Sequence, residues 1–446
     1  MKIDIIICYK KRYKRGHEID FVPPITGIYL AALTPPKHEV RVFHQQVDKL
    51  DYETNAEIIA LSFFSGFASE AFRLATTFRE KNKTVIAGGP HITFNIEESL
   101  KYFDSIITGE ADKIWGEILI DIEEHKLKKV YTGNICNMNF LPVPRYDLLS
   151  EKFIIKRVIQ ATRGCYYHCK FCSVPVINPQ FRMRPVDDVI QEVKYNKFKY
   201  WWQRKIVWFW DDNLLLNRTY AIELLQRLKD ENKWWLTQTS IDIADDENFL
   251  DLMKKSGCIG VFLGIESFNQ NDLNLNNKKH NNILKYKKAI EKIHNKGIAV
   301  MAGFIIGFEH DTLKSIQQIP QLMRKIKIDV PFISILTPFK GTVIYHEMNA
   351  KGKIIKALNW SNFNGYNVAF KHNSLNETTL TNAHRQLWKN SFNPFNVILR
   401  ICFGMSHLRF GAQILSLMMN SFYGLKYITC NHPVNYQLIS LKSNSN

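Results

Sequence analysis

The chain has 446 residues, of which 46% are hydrophobic and 23% are charged, as is ordinary for a soluble globular protein of two or three domains. No run of about 18 apolar residues occurs, so no membrane-spanning helix is expected. Eight cysteines in so long a chain do not make a disulfide framework. The apolar stretch at residues 1–8 is too short for a secretory signal and contains Asp4, which predicts a first strand and a cytoplasmic protein.

The formal net charge of +17 raises the question of an anionic partner, either a nucleic acid or a membrane surface. A bias toward Lys and Asn spread over the surface explains the same excess without any partner, and we favour that explanation. The only dense basic run covers residues 10–15, and charge runs of this kind are usually solvated loops.

Residues 1–125 alternate short apolar runs with helical patterns, which predicts a parallel sheet with helices on both faces. Such sheets bind ligands where loops leave the carboxyl ends of the strands. Three of the four loops at these ends contain glycine beside a hydrogen-bonding residue, a pattern that fits a large ligand and ordinary turns equally well. The predicted strands cover 2–8, 39–43, 57–64, 84–87 and 105–108, and the predicted helices cover 25–33, 68–81 and 96–101.

An irregular connector is expected over 126–155, and a second alternating block follows over 156–345. Six strands with crossing helices suggest an incomplete barrel, because a full barrel has eight strands. Residues 346–446 lose the alternation and predict a helical extension, with helices over 378–392 and 395–423. The predicted barrel strands cover 155–161, 206–210, 235–239, 260–264, 300–307 and 332–336, with helices such as 186–196, 220–229 and 283–296.

Three cysteines, Cys165, Cys169 and Cys172, fall within eight positions just after the first barrel strand. A structural zinc site usually has four protein ligands, and a ferredoxin-type [4Fe–4S] site also uses four cysteines. Three thiolates on a four-iron cluster would leave one iron open to a substrate or cofactor. His168 sits inside the loop between two cysteines and cannot easily converge on the same metal. The other five cysteines are scattered singly and predict buried or inert thiols.

The motif Cys165-x-x-x-Cys169-x-x-Cys172, with an aromatic residue before its last cysteine, resembles the signature of the radical S-adenosylmethionine (SAM) superfamily. This resemblance implies a [4Fe–4S] cluster held by the three cysteines, with SAM chelating the fourth iron. It also implies that reduction of the cluster, by a donor such as flavodoxin or ferredoxin, cleaves SAM to methionine and a 5′-deoxyadenosyl radical. The residues implied in SAM binding are Phe171, Asp211, Asp212, Glu266, Gly303, Ile305 and Gly307.

The N-terminal block resembles the Rossmann-like cobalamin-binding domain that precedes the barrel in one large class of radical SAM proteins. The chain lacks the Asp-x-His-x-x-Gly sequence of domains that ligate cobalt through histidine, an absence that is common in this class. The alternative is a degenerate domain that holds no cobalamin. The residues implied in lining the corrin and its nucleotide tail are Gly27, Ser62, Ser65, Gly88, Gly89, His91, Gly109 and Glu110.

The segment 360–370, with the helices after it, resembles the C-terminal extension, a domain of unknown function, of a subgroup of cobalamin-binding radical SAM proteins. The expected fold is therefore α/β: a cobalamin-binding-like domain over 1–125, the connector, a partial (β/α)6 radical SAM barrel over 156–345 and a mostly helical extension over 346–446. The extension contains apolar helices that we expect to pack on the barrel, and a position in a membrane interface is the alternative.

The resemblance predicts a cobalamin-dependent C-methyltransferase that acts on an unactivated carbon of a small-molecule, lipid or peptide substrate. Ring contraction, rearrangement or cyclisation with the same cofactors is the first alternative. A tRNA-modifying methylthiotransferase is a second, suggested by the basic charge. Those relatives carry another three-cysteine cluster in the N-terminal domain, where this chain has only Cys8, so nucleic acid is not expected as a partner. A non-catalytic module that binds cobalamin or a cluster is the third.

Overall fold

The computed structural model describes residues 1–9, 22–355 and 360–431. Within these ranges the chain forms two parallel sheets, a two-stranded antiparallel ribbon and a helical C-terminal region. The basic run at 10–15 lies outside the described residues. The predicted α/β class is confirmed, with a Rossmann-like N-terminal domain, a partial barrel and a helical extension.

The N-terminal sheet has six parallel strands in the order β2-β1-β3-β4-β5-β6. The order changes direction between β1 and β3, and ligands of doubly wound sheets bind at the carboxyl ends of the strands beside such a switch. The strands are β1 (Lys2–Ile7), β2 (Glu39–His44), β3 (Ile58–Ser62), β4 (Thr84–Gly88), β5 (Ser105–Gly109) and β6 (Val130–Gly133). The helices are α1 (Thr26–Leu33), α2 (Ala68–Glu80), α3 (Pro90–Phe94), α4 (Ile96–Ser99) and α5 (Trp115–Glu123).

The expectation of an irregular connector over 126–155 is wrong for its first part, which forms β6 and pairs with β5 up to Gly109 and Gly133. A four-residue edge strand is too short to show an alternating pattern. The pairing brings two backbones together without side chains, because a Cβ on Gly133 would lie 1.7 Å from the Glu110 carbonyl oxygen.

The second sheet is the partial barrel, with six parallel strands in the order β14-β13-β12-β11-β10-β7. Its first strand is shorter than expected, and it pairs with β10 alone. Its strands are β7 (Val158–Ile159), β10 (Ile206–Phe209), β11 (Trp234–Thr239), β12 (Cys258–Glu266), β13 (Ala299–Ile306) and β14 (Val330–Ile335), while β8 (Thr162–Arg163) and β9 (Arg182–Met183) form the ribbon. Its helices are α6 (Val174–Ile177), α7 (Val186–Val193), α8 (Trp201–Lys205), α9 (Arg218–Leu228), α10 (Glu247–Lys255), α11 (Gln270–Leu275), α12 (Tyr286–Asn295), α13 (Leu313–Lys325) and α14 (Val343–Ala350).

A buried charge network holds β7, the strand that leads to the cysteine loop. The Arg184 guanidinium donates to Glu192 at 2.6 Å, and the side chains of both residues are 2% exposed or less. The Tyr146 hydroxyl lies 2.6 Å from the same carboxylate and 2.7 Å from the Val158 carbonyl oxygen. Burial raises the pKa of Glu192, and the guanidinium of Arg184 stabilises the charged form of this carboxylate.

The C-terminal extension contains α15 (Glu377–Phe392), α16 (Pro394–His407) and α17 (Phe410–Ile428). Helix α17 covers the concave face of the barrel at the amino ends of its strands. Leu415 and Met419, for example, are buried against residues that begin β13 and β14. The opposite, convex face of the sheet packs on α7, α9, α10, α12 and α13.

The single helix predicted over 395–423 is wrong, because the chain breaks it at Leu408, whose backbone is extended. Tertiary contacts at Arg409 explain the break. Its N–H donates to the Gly297 carbonyl at 3.1 Å, and its guanidinium binds the carbonyls of Lys254 and Cys258. A continuous apolar pattern cannot reveal such contacts, which lie more than 100 residues away along the chain.

Candidate active site at the carboxyl end of the barrel

The three cysteines lie on the loop that follows β7 and β8, at the carboxyl end of the partial barrel. Cys169 is buried, while Cys165 and Cys172 are half-buried. The Cys172 N–H donates to the Cys169 carbonyl at 3.0 Å and tightens the loop. Gly164, just before it, has a φ of +91°, and a Cβ there would lie 2.4 Å from the Gln180 carbonyl oxygen, so this turn requires glycine.

Two aspartates after β10 fix the entry to the cysteine loop. The Gly164 N–H donates to Asp212 at 2.9 Å, and the Thr162 hydroxyl donates to Asp211 at 2.7 Å. Asp211 is buried, which raises its pKa to about 7, whereas Asp212 is half-buried and interacts electrostatically with Cys165 and Cys172. Of the two acids predicted to contact SAM, Asp212 is therefore the one that a ligand can reach.

The thiols of the loop suit metal ligation and do not suit covalent catalysis. Burial raises the pKa of all three, that of Cys172 to about 12. Because the thiolate is the nucleophilic form, such thiols are unreactive at neutral pH. A coordinated metal ion deprotonates a thiol outright, so these groups become charged only when they bind one.

The positions of the sulfur atoms favour a cluster over a single ion. Among the described residues, the metal-ligating side chains whose ligand atoms all lie within 4.8 Å of one another are Glu110, Asp112 and Cys136, and the three loop cysteines do not form such a group. A mononuclear site needs its ligands that close. A four-iron cluster places each thiolate on a different iron, which the wider spacing accommodates.

A buried ion pair lies beside the cysteine loop on the concave side of the sheet. Lys278 Nζ is 3.2 Å from Glu266 Oε1, and both side chains are less than 15% exposed. Burial opposes the charged ammonium, but the Glu266 carboxylate and the Cys169 thiol outweigh it and raise the pKa of Lys278. Glu266 has a φ of +63°, a strained conformation that is typical of functional positions.

Two glycines let this ion pair and the Phe262 ring lie close against the backbone of the sheet. A Cβ on Gly264 would lie 2.4 Å from Glu266 Oε1, and a Cβ on Gly303 would lie 3.2 Å from the Phe262 ring. Gly303 and Ile305 lie two residues apart on β13, so both face the concave side of the sheet. Gly307, at the end of the same segment, instead approaches Phe370 of the C-terminal extension.

A cavity of about 400 Å³ opens where the cysteine loop meets the C-terminal extension. Gly307 and Phe308 line it on one side and Lys170 lines it on the other. The ring of Phe171, the residue before the last cysteine, packs on Phe308 at 5.7 Å between centroids. The Lys170 N–H donates to the Asn276 carbonyl at 3.1 Å, which fixes the cysteine loop to the wall of the cavity.

Charged contacts join the two sheets across their facing carboxyl ends. Arg163, two residues before Cys165, donates to Asp112 at 3.0 and 2.8 Å, and Arg182 donates to Glu110 at 2.8 Å. Although burial opposes ionisation, hydrogen bonds from Arg182 and Cys136 lower the pKa of Glu110 to about 2. Glu110, predicted to line the corrin, is thus engaged in a contact between domains. Arg163 and Arg182 thus neutralise the carboxylates of Asp112 and Glu110.

Several residues predicted to line the corrin do lie at the carboxyl ends of the N-terminal strands. Ser62 ends β3, Gly88 ends β4 and Gly109 ends β5, and none of the three is buried. Gly89 has a φ of +106° and packs against the Phe63 backbone. Gly27, also predicted to line the corrin, is buried, and a Cβ there would lie 2.7 Å from Val42, so this glycine allows close helix packing.

His91, also predicted to line the corrin, is fully buried beneath Trp360 of the C-terminal extension, at 5.0 Å between ring centroids. Its Nδ1 lies 3.2 Å from the hydroxyl of Ser65, another residue predicted to line the corrin, so the two side chains bind each other. Trp360 in turn donates to Glu98 at 2.7 Å. His91 and Ser65 therefore help to seat the extension on the N-terminal domain.

Burial, reinforced by Lys340, lowers the pKa of His91 to about 4. Between pH 4 and 6.5 the unfolded chain binds a proton at this histidine that the folded chain does not, so the free energy of unfolding falls as the pH falls. We expect His91→Gln to reduce that slope by up to about 1.4 kcal/mol per pH unit. Urea unfolding at a series of pH values checks this, with the exposed His346→Gln as the control. An unchanged slope would contradict the assignment.

The sequence alone did not reveal Lys278, Tyr167 or His280 as site residues. The Tyr167 ring stacks on His280 at 3.7 Å, and its hydroxyl lies 3.1 Å from Asp242. Asp242 and His280, which lie 75 and 113 positions after Tyr167 in the chain, thus hold the cysteine loop in place. Tyr167, within the cysteine motif, carried the only available signal, an aromatic side chain inside a metal-binding loop.

The family model described as the radical SAM superfamily matches residues 159–323. The bacteriochlorophyllide d C-8(2)-methyltransferase of Chlorobaculum tepidum is 31% identical over 362 residues, which are 77% of this chain and 79% of that protein. In fold, the chain resembles the cobalamin-dependent S-adenosylmethionine radical enzyme OxsB, solved with aqua-cobalamin and S-adenosylmethionine bound. The TM-score is 0.69 at 14% identity, covering 99% of this chain and 74% of that one.

A second structure of similar fold is the radical S-adenosylmethionine methyltransferase TsrM from Kitasatospora setae, solved with cobalamin and a [4Fe–4S] cluster bound. Its TM-score is 0.62 at 15% identity, and the match covers 78% of each chain. The matched family segment begins in β7 and contains the three cysteines, the aspartates after β10 and the Glu266–Lys278 pair. With a 31% identical relative matched over most of its own length, the chain belongs to the radical SAM superfamily of enzymes.

Proposed function

We propose that this protein is a cobalamin-dependent radical SAM C-methyltransferase. The observation that carries the proposal is the placement of the cysteine loop at the carboxyl end of the partial barrel, joined by Arg163 and Asp112 to the carboxyl end of the N-terminal sheet. Two cofactor sites that face each other in this way hold a substrate carbon between them, which meets the proximity requirement of a group transfer. The bacteriochlorophyllide relative and TsrM are both methyltransferases by name.

Cys165, Cys169 and Cys172 would hold the [4Fe–4S] cluster, which when bound supplies the electron that cleaves SAM. The chain's own part is to place the methionine end of SAM. Lys278 would pair with its carboxylate, and Asp212 would accept hydrogen bonds from its ammonium group. The missing side chain at Gly264 lets Lys278 and Glu266 pair close against the backbone of β12.

Cobalamin would lie against the N-terminal sheet, near Ser62, Gly88, Gly89 and Gly109. Phe64, in the same loop as Ser62, is 59% exposed, and a flat macrocycle would cover such a ring. His91 is fully buried, so no protein imidazole from this position would reach the cobalt. This agrees with the absence of the Asp-x-His-x-x-Gly sequence.

The first test is the visible spectrum and metal content of protein purified without oxygen. About four irons per chain together with a corrinoid absorbance is the expected result. The second is incubation with SAM, a reductant and candidate small molecules, with both SAM-derived products quantified. Equal amounts of 5′-deoxyadenosine and S-adenosylhomocysteine support methyl transfer. Formation of 5′-deoxyadenosine without S-adenosylhomocysteine would contradict methyl transfer and favour rearrangement or cyclisation. Iron without a corrinoid would contradict the cobalamin-dependent step.

Lys278 provides a sharper test of the SAM site. A charge-assisted hydrogen bond is worth about 1.5–3 kcal/mol, so Lys278→Met is expected to weaken SAM binding about 10- to 100-fold. Isothermal titration of the cluster-loaded protein measures this. Lys278→Arg should recover most of the affinity, and Lys279→Met, at the exposed neighbouring position, should leave it unchanged. Equal binding by Lys278→Met and wild type would place the carboxylate elsewhere.

A further inference from the structure

Helices α16 and α17 each turn an apolar stripe outward. On α16 the exposed positions are Phe395, Ile398, Leu399, Cys402 and Met405, at spacings of three and four residues that keep them on one face. On α17 the exposed apolar positions are Phe410, Leu417, Met418, Leu425 and Ile428, and steps of seven residues from 410 to 417 and from 418 to 425 keep them on one face. Phe395 is 67% exposed and Ile428 is 68% exposed, which is unusual for large apolar side chains gathered on neighbouring helices.

These stripes lie on the side of the helices that does not face the barrel. The residues of α17 between the exposed ones, such as Ala412, Leu415 and Met419, are buried against the sheet, and α16 packs on α17. The barrel therefore packs on one face of α17, and the outer apolar face remains exposed among the described residues.

The surroundings of the stripes are basic and contain an aromatic cluster. Trp201 is 55% exposed and contacts Trp234, which contacts Phe410 at the start of α17, with centroid distances of 6.3 and 5.9 Å. Lys205 lies over Trp234 at 5.6 Å, and Lys327 lies over the Phe403 ring of α16 at 4.8 Å. Tryptophan beside lysine is the composition of surfaces that sit at the boundary between water and lipid.

The sequence of the C-terminal region has the matching charge. Glu377 is the last acidic residue, and the 69 residues that follow contain six Lys and Arg and no Asp or Glu. In a chain with 42 acidic residues, such a tract leaves no negative charge on α16 or α17 to repel an anionic surface. This local complementarity is independent of the +17 charge of the chain as a whole.

We propose that the outward faces of α16 and α17, with Trp201 and the flanking lysines, dock this protein on the surface of an anionic lipid bilayer. Among the described residues no helix is long and apolar enough to cross a membrane, so the helices would lie in the interface. Apolar side chains enter the headgroup region, while the lysines contact the phosphates.

This docking sets the orientation of the enzyme. Helix α17 lies at the amino ends of β11 to β14, and the cysteine loop lies at the opposite, carboxyl end of the barrel. A bilayer against α16 and α17 therefore faces away from the active site, which stays open to the aqueous side. The surface anchors the enzyme and does not deliver a substrate through the barrel.

The test is flotation of the full chain with vesicles of phosphatidylcholine alone and of phosphatidylcholine with 30% phosphatidylglycerol. Binding to the anionic vesicles that weakens at high salt is expected. Lys205→Gln and Lys327→Gln should each lower the partition coefficient about fivefold, from about 1 kcal/mol per basic residue. Ile398→Glu with Leu425→Glu should lower it more than either. Leu284→Glu, at a position 87% exposed on another surface, is the matched control and should not change it.

Circular dichroism and iron content establish that each variant folds. Flotation with neither vesicle would overturn the proposal, as would equal flotation of the control and the α16/α17 double variant. Light scattering measures the oligomeric state of the wild type and of Ile398→Glu. A wild-type dimer that becomes a monomer in Ile398→Glu would show that this face binds a second copy of the chain, which would overturn the proposal. A variant that loses vesicle binding but keeps SAM cleavage would separate this surface from the proposed function.

Discussion

Cys169→Ala is expected to abolish cluster binding and SAM cleavage while leaving the fold intact. Mutation of a residue that hydrogen-bonds to a metal ligand typically lowers metal affinity or activity about 10- to 100-fold. Loss of a direct ligand should therefore lower 5′-deoxyadenosine formation by more than about 100-fold. Cys169 is also the most buried of the three, so its neighbours offer no ready substitute for the lost ligand. The measurements are iron per chain, the visible spectrum and 5′-deoxyadenosine after incubation with SAM and dithionite.

The matched control is Cys402→Ala, which removes an exposed cysteine on α16, far along the chain from the loop. It should keep full iron content and activity. A Cys169→Ala protein that retains four irons and cleaves SAM at the wild-type rate would show that the loop is not the cluster site. Equal thermal unfolding of the two apo-proteins would show that the effect is not a loss of structure.

Arg184→Met is expected to destabilise the protein by about 3–5 kcal/mol, because it leaves the buried Glu192 carboxylate without its cation. The Tyr146 hydroxyl still reaches Glu192, but a neutral donor cannot replace a guanidinium at 2.6 Å. Since the same network holds β7, we also expect slower incorporation of iron into the cysteine loop. Urea unfolding of the cluster-free protein measures the first effect.

Two comparisons isolate the cause. Replacing both partners, as Arg184→Met with Glu192→Met, should recover much of the lost stability, because two apolar side chains bury no charge. Arg145→Met breaks the exposed pair with Asp147 and should change stability by no more than about 1 kcal/mol. If Arg184→Met cost no more than Arg145→Met, the buried network would not be what holds β7.

The architecture could be predicted because its signals are local and periodic. Strands β1 to β5 are short apolar runs bounded by turn residues, and the three cysteines have a spacing that belongs to one kind of site. The same locality explains the failures. β6 has four residues and no pattern, and the break before Arg409 depends on carbonyl groups at 254, 258 and 297.

The ion pairs of the site could not be predicted for a related reason. Lys278 is one lysine among many in a basic chain, and only folding brings it to Glu266 and Cys169. Glu110 was expected to meet a ligand because it follows a strand, which is where ligands bind. The ribbon of β8 and β9 instead places Arg182 against it. Position at a strand end predicts the neighbourhood of a side chain, but it does not predict its partner.

The packing of α17 has a consequence for the order of events during turnover. Leu415 and Met419 fill the amino end of the barrel, so among the described residues that end offers no route to the cysteine loop. Substrate, SAM and its products would then pass by the carboxyl end or the open side of the partial barrel. Molecules that enter by the same route pass in sequence, so we expect the deepest ligand to arrive first and depart last.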